Sequence, residues 1–303
     1  MNPRDVVLGL GSNLGGRLSL LRAGAALLGE RLGAAATRCS PVWRTPPVGP
    51  PQPDYLNAAV SVRTGMRLDE VLRVALEVET SLGRERRVRW GARTLDVDVL
   101  WHDGPPCDAV GLHVPHPALA ERPFALGPLL SLCPEARLGG ASASGLPSAT
   151  VPPGELVASD LGAPFETRVL SHTADEGFEV LALDRADLLA AAAEALGAVI
   201  VDPGTVRPRA TRHVSVQLAS EDDDETRLVA FLSECLNLFD GERFAPHRVA
   251  VLRDHDEVRA AVVGEAINEA RHGVRTAVKA VTWHELEVRD EGAGLRARVI
   301  LDL

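Results

Sequence analysis

Apolar positions along the first part of the chain follow a pattern that predicts helices laid on a sheet. Val6–Leu10 is a short apolar run with strand character, and Leu18–Leu32 repeats apolar residues at helical spacing. A further strand is expected near Cys39–Trp43. Asn57–Val62 reads as a strand, Leu68–Leu82 as an amphipathic helix, and Leu95–Trp101 as an alternating strand. This β-α-β-β-α-β order predicts a ferredoxin-like α/β sandwich. Residues 137–166 are rich in Gly, Ala, Ser and Pro and carry no sustained period, so they read as the tail of one domain running into a linker. Beyond it the pattern resumes: strand at Phe178–Leu183, helix at Arg185–Ala198, strand at His213–Leu218, helix at Thr226–Leu238, then several strands ending in the apolar run Ala297–Leu303. The second half is therefore α+β as well. The boundaries expected are a first domain at 1–158, a linker at 159–167 and a second domain at 168–303.

Charge separates the two halves. Residues 1–160 hold 16 arginines against 16 acidic residues, whereas 161–303 hold 16 basic and 26 acidic residues and carry the whole formal excess of -10. An acidic domain repels phosphate backbones, which disfavours direct nucleic-acid binding by the second half. Neither a secretory signal nor a run of membrane-spanning length is present, so a cytoplasmic location without a membrane partner is expected. The four cysteines lack metal-site spacing and read as reduced thiols. Lys279 is the only lysine and Tyr55 the only tyrosine. Strong arginine bias accounts for most of this, but a lone lysine also offers what a guanidinium does not, a proton it can lose.

The densest chemistry lies at Arg93-Thr-Leu-Asp96-Val-Asp98. Alternation on a strand puts Asp96 and Asp98 on one face, where their mutual repulsion suits a cation between them; Mg²⁺ bound with phosphates is the natural candidate. Upstream, the loop 83–93 carries Arg84, Arg86, Trp90 and Arg93, guanidiniums suited to a triphosphate. His116 and Arg122 offer further phosphate contacts. A Pro-rich loop from Trp43 leads through Thr45 and Val48 to Tyr55 and Asn57, which share a strand face. Together they present an aromatic ring and an amide to a flat heterocycle.

These motifs, namely Gly11-Ser-Asn13, Arg44-Thr-Pro-Pro, Pro53-Asp-Tyr-Leu-Asn57, Arg89-Trp-Gly-Ala-Arg-Thr-Leu-Asp-Val-Asp98 and Val114-Pro-His-Pro, resemble 6-hydroxymethyl-7,8-dihydropterin pyrophosphokinase over roughly residues 5–158. The resemblance implies ATP as donor and two Mg²⁺ ions held by Asp96 and Asp98. It implies that Arg84, Arg86 and Arg93 contact the triphosphate or stabilise the transferring group, with Trp90 on a loop closing over ATP. His116 and Arg122 bind nucleotide phosphates, Tyr55 and Phe124 sandwich the pterin, Asn57 reads its edge, and Thr45 and Val48 line its pocket. Catalysis falls to Arg84, Arg93, Asp96 and Asp98. Gly111 and His113 depart from the family, standing where it carries Arg and Thr.

In the second half, Ser171-His-Thr-Ala-Asp175-Glu-Gly-Phe178, Val201-Asp202-Pro, Leu238-Phe-Asp240, His272-Gly, Val278-Lys-Ala-Val-Thr-Trp-His284 and the closing Val299-Ile-Leu-Asp302-Leu303 together resemble archease, a family known as an activator of the RNA ligase that joins tRNA halves. By that resemblance Asp175, Asp302 and the terminal group of Leu303 form a site for Ca²⁺ or another divalent metal, with Asp202 close by, and an RNA ligase is the partner. Two other readings stay open. Lys279 and His284, beside the Asp175 cluster, could shuttle protons in a dihydroneopterin aldolase, supplying the alcohol the first domain consumes. Alternatively the domain serves stability or assembly.

Overall fold

A computed structural model describes residues 2–34, 36–85, 91–163, 165–171, 176–219 and 221–303, and of Ser171 only the backbone. The chain forms two compact units, Met1–Ala163 and Pro164–Leu303.

Unit 1 is built from β1 (Arg4–Ser12), α1 (Arg17–Arg31), β2 (Thr37–Cys39), β3 (Val42–Thr45), β4 (Tyr55–Thr64), α2 (Leu68–Ser81) and β5 (Asp96–His102). A hairpin, β6 (Cys107–Ala109) and β7 (Leu112–Val114), leads to α3 (Pro123–Leu132); a second, β8 (Arg137–Leu138) and β9 (Ala141–Ser142), precedes β10 (Glu155–Ala158). The main sheet runs β10-β3-β4-β1-β5, with β2 also on β4, and every pairing is antiparallel. Its β3-β4-β1-β5 order is that of a ferredoxin-like sandwich.

Alternation along β1 divides the core. Leu8 and Leu10 face α1 and α2. At Gly24 of α1, an added Cβ would lie 2.9 Å from Leu95 and 3.1 Å from Leu10, so the helix sits directly on the sheet there only because the side chain is missing. In α2 the buried residues Val71, Val74, Ala75 and Val78 recur at i, i+3, i+4 and i+7, one apolar stripe against the sheet. Val7 faces the opposite way and joins Ala59, Leu100, Leu126 and Leu129 in a cluster covered by α3.

Unit 2 comprises β11 (Glu166–Ser171), β12 (Glu176–Ala182), α4 (Arg185–Ile200), β13 (Ala210–Gln217), α5 (Asp224–Leu236), β14 (Phe244–Asp254), β15 (Glu257–Ala266), α6 (Glu269–His272), β16 (Ala280–Val281), β17 (Glu287–Asp290) and β18 (Leu295–Asp302). Its sheets run β11-β12-β18-β16, with β17 also on β18, and β13-β15-β14. Asp184 and Asp223 cap α4 and α5, accepting from Asp187 N at 3.0 Å and Thr226 N at 2.8 Å. Both units are α+β.

Some elements differ from the sequence expectation. The strand expected at Cys39–Trp43 is two strands, divided at Ser40 and Pro41, where proline has no N–H to give a ladder. The stretch read as a tail and linker is more ordered than its composition suggests. In it β10 pairs with β3, and Leu161 is fully buried, its N–H donating to Ser40 O at 3.0 Å. β11 begins at Glu166, inside the expected linker.

Candidate functional site

The β1 register brings the two sequence constellations together. Gly11 pairs with Asn57 of β4 on one side and Asp96 of β5 on the other; Gly9 pairs with Asp98. Paired residues share a face, so Asp96, Asp98, Asn57 and Tyr55 line the sheet surface opposite α1 and α2. Gly11 is the floor between them. A Cβ there would stand 3.0 Å from Asn57 Oδ1, 3.6 Å from the Tyr55 ring and 4.0 Å from Asp96 Cβ.

On the β5 side, Asp96 is clamped. Arg84 Nη1 lies 2.7 Å from Oδ1 and Arg93 Nη1 lies 2.9 Å from Oδ2. Arg84 is itself held by Glu79, an almost fully buried carboxylate at the end of α2 that also accepts from Val97 N at 2.8 Å. The loop carrying Arg93 is fixed by Asn13: Asn13 N donates to Arg93 O at 3.1 Å, and Arg93 N donates to Asn13 Oδ1 at 2.8 Å. Desolvation works against the charge on Arg93, yet the neighbouring Asp96 raises its pKa above the ordinary value.

Asp98 is half-buried. Burial first, then the Asp96 carboxylate, push its carboxyl above the usual range, while His116, Arg122 and Arg84 oppose the shift. His116 is pushed down by burial, assisted by Arg122 and opposed by Asp98 and Asp96, which favours the neutral ring. Its backbone N–H donates to Leu100 O at 2.9 Å, and its Nδ1 accepts from Ala118 N at 3.2 Å. Arg122 precedes α3 with its guanidinium 5.9 Å from the Phe124 ring centre.

On the β4 side, Asn57 Nδ2 donates to the buried Thr45 hydroxyl at 2.7 Å. That bond fixes the amide and leaves its oxygen toward Gly11. Tyr55 is half-buried; desolvation raises its hydroxyl pKa, with Arg93 opposing and Asp96 adding. Val48 stands exposed on the Pro-rich loop. Asn13 also ties that loop, donating to Gln52 Oε1 at 3.0 Å and Pro53 O at 3.1 Å, so one side chain joins the arginine loop to the Pro-rich loop. Arg86 and Trp90 lie outside the described residues. The sequence alone gives no role to Glu79, and Asn13 only a place in the Gly11-Ser-Asn13 motif. The signal for Glu79 was an acid on the flank of a buried apolar stripe, five residues before Arg84.

In unit 2 the expected metal site is not supported. The Leu303 carbonyl accepts from Lys279 Nζ, an ammonium where a metal ion was expected. Asp302 is exposed, and Asp202 turns its carboxylate to Gly204 N at 3.1 Å with Arg275 3.6 Å away. Asp175 lies outside the described residues, and among those described no three His, Cys, Asp or Glu side chains converge. Among the described residues no hydrogen bond or ion pair joins Lys279 to His284, which is exposed. The tightest polar node is elsewhere. Buried Glu265 receives both arms of Arg271 at 2.7 Å, Arg207 N at 2.7 Å and His272 Nε2 at 3.3 Å, which hold its carboxyl at about 2.

Unit 1 is thus an α+β sandwich presenting clamped, paired carboxylates and a fixed amide on one sheet face. The sequence pattern of the 7,8-dihydro-6-hydroxymethylpterin-pyrophosphokinase (HPPK) family matches residues 7–134, and that of the Archease protein family matches residues 168–303. The chain belongs to the first family through unit 1 and to the second through unit 2. Over 127 residues it is 40% identical to 2-amino-4-hydroxy-6-hydroxymethyldihydropteridine pyrophosphokinase of Bacillus subtilis, a match covering 42% of this chain and 76% of the relative. The enzyme of that name from Synechocystis is 39% identical over 129 residues, 43% of this chain and 66% of the relative. The solution structure of Methanobacterium thermoautotrophicum protein 1598 aligns with 45% of this chain and 98% of its own, at 30% identity and a TM-score of 0.39. No helix among the described residues is long and apolar enough to cross a membrane.

Proposed function

We propose that residues 1–158 transfer pyrophosphate from ATP to the hydroxymethyl group of 6-hydroxymethyl-7,8-dihydropterin, a step of folate synthesis. The observation that supports this reading is the meeting of Asp96, Asn57 and Tyr55 around Gly11, an aromatic ring and a fixed amide beside a carboxylate paired with two guanidiniums. Asp96 and Asp98 supply the hard oxygen donors that Mg²⁺ takes, and the ion when bound would neutralise phosphate charge. Arg84 and Arg93 grip the triphosphate, with Arg86, His116 and Arg122 adding contacts and Trp90 on the closing loop. The pterin stacks between Tyr55 and Phe124 over Thr45 and Val48, its edge read by the Asn57 oxygen. The pterin hydroxyl attacks the β-phosphorus in line; a new O–P bond forms as the bond to the α–β bridging oxygen breaks, the hydroxyl proton passes to water, and AMP leaves. No side chain in the matched motifs is an obvious strong base, so positioning and charge stabilisation carry the rate. The test is AMP release from ATP and the pterin alcohol. Asp98→Ala is expected to lower turnover by about a thousand-fold with the fold intact. Wild-type turnover in that variant ends the assignment.

For unit 2 we propose activation of an RNA ligase. Membership of the Archease family supports this, as does an acidic balance suited to docking on a protein while leaving RNA to the partner. Adding the full chain to a tRNA-joining ligase should raise its number of turnovers. Release of glycolaldehyde from dihydroneopterin, with no effect on the ligase, would replace this reading.

A further inference from the structure

We propose that Arg84 and Arg93 act as a latch that denies Asp96 to a free divalent cation and releases it only as a nucleotide's phosphates arrive. This rests on the reading of unit 1 given above. Asp96 uses both of its oxygens, each on a different arginine: Oδ1 on Arg84 at 2.7 Å and Oδ2 on Arg93 at 2.9 Å. The pairs are sheltered, with side-chain exposures of 15% for Arg84, 21% for Arg93 and 26% for Asp96, so solvent screens them only in part. Neither arginine is held by Asp96 alone. Glu79 anchors Arg84 from the helix side, and Asn13 fixes the backbone of Arg93 from β1.

A lone cation approaching Asp96 meets two guanidiniums already in the carboxylate's first contact sphere. To bind, it must displace at least one of them, and the displaced charge stays nearby because Glu79 and Asn13 tether it. A triphosphate removes this obstacle. Its oxygens are denser acceptors for guanidinium than one carboxylate, so the arginines transfer to the phosphates and Asp96 turns to the incoming ion. Metal and nucleotide then enter as one unit, and free metal does not occupy the site in advance.

The experiment titrates Mn²⁺ alone, and separately Mn²⁺ with a non-hydrolysable ATP analogue, into the full chain, reading bound Mn²⁺ by electron paramagnetic resonance. Arg84→Gln and Arg93→Gln are compared with wild type and with Arg122→Gln. Arg122 acts on Asp98 through space, so its removal reports the general loss of positive field. The latch predicts that Arg84→Gln and Arg93→Gln each bind Mn²⁺ alone about ten-fold tighter than wild type, the equivalent of one sheltered ion pair, and clearly tighter than Arg122→Gln. All three should bind the Mn²⁺–analogue complex more weakly. The latch is overturned if wild type binds that complex while Arg84→Gln and Arg93→Gln hold free Mn²⁺ no better than Arg122→Gln. If wild type binds no Mn²⁺–analogue complex, the proposed function of unit 1 falls, and the latch with it.

Discussion

Glu79 is the residue on which the arrangement of β5 turns, and its removal gives a measurable consequence. Its carboxylate is almost fully buried, accepts the Val97 N–H at 2.8 Å and pairs with Arg84. Glu79→Ala takes away both partners. A buried Val97 N–H without an acceptor costs about 1–3 kcal/mol. Breaking a buried ion pair costs about 3–5 kcal/mol when the surviving charge is stranded. Arg84 is not stranded, since Asp96 remains 2.7 Å away, so the second cost is only partly incurred. The expected sum is about 2–4 kcal/mol for unit 1. Glu79→Gln keeps a carbonyl for Val97 and a neutral acceptor for Arg84, and should cost about 1 kcal/mol. Trp283 is the one tryptophan outside unit 1 and is 60% exposed, so a Trp283→Phe background leaves fluorescence reporting unit 1 alone. Urea unfolding in that background gives both numbers. A Glu79→Ala midpoint matching the parent, or a Gln variant as damaged as the Ala one, would refute the bond assignments.

Two further outcomes follow from particular contacts. Gly11→Ala places a methyl group 3.0 Å from Asn57 Oδ1 on a strand whose backbone accepts alanine; the KM for the pterin should rise about ten-fold, with urea unfolding nearly unchanged. In unit 2, Glu265 has a folded pKa of about 2 against an ordinary 4.5, held down first by its hydrogen bonds to Arg271. A depressed carboxyl contributes stability above the unfolded pKa and loses it as pH falls toward the folded one. Its contribution, at most about 3 kcal/mol, should be complete above pH 5 and vanish toward pH 2. Glu265→Gln should flatten that limb of the acid-unfolding curve, and an unchanged curve would count against the node.

The sandwich was legible because its elements obey simple periods. α2 carries a 3.6-residue stripe and β5 alternates polar with apolar residues, and strand parity sets Asp96 beside Asp98 and Tyr55 beside Asn57. Pairing across strands was not legible. That β1 lies between β4 and β5, and that Gly11 faces both Asn57 and Asp96, depends on register between segments 46 and 85 residues apart. At 137–166 composition points to a domain tail running into a linker, and β10 adds to the sheet within that tail. The long hairpin of β14 and β15 is legible only as strands without bounds, because most of its residues are apolar on both faces and alternation disappears. Lys279, conspicuous in the sequence as the lone lysine, donates to the Leu303 carbonyl, the group the family resemblance assigns to a metal.

A reaction that joins two substrates needs their sites adjacent, and in this sheet adjacency is bought by absent side chains. β1 carries glycine at 9 and 11 on the face shared by Asp98, Asp96 and Asn57, while its other face keeps Leu8 and Leu10 for the helices. A side chain at 11 would part Asp96 of β5 from the amide of β4, since even a single carbon there crowds Asn57, and at 9 a Cβ would meet the Leu100 side chain at 2.9 Å. The same strand's end then supplies Asn13, whose amide fastens the Pro-rich loop on one side and the Arg93 loop on the other. The central strand therefore contributes almost no reactive group of its own. It sets the distance between the carboxylates of β5 and the amide of β4, and both loops take their position from it.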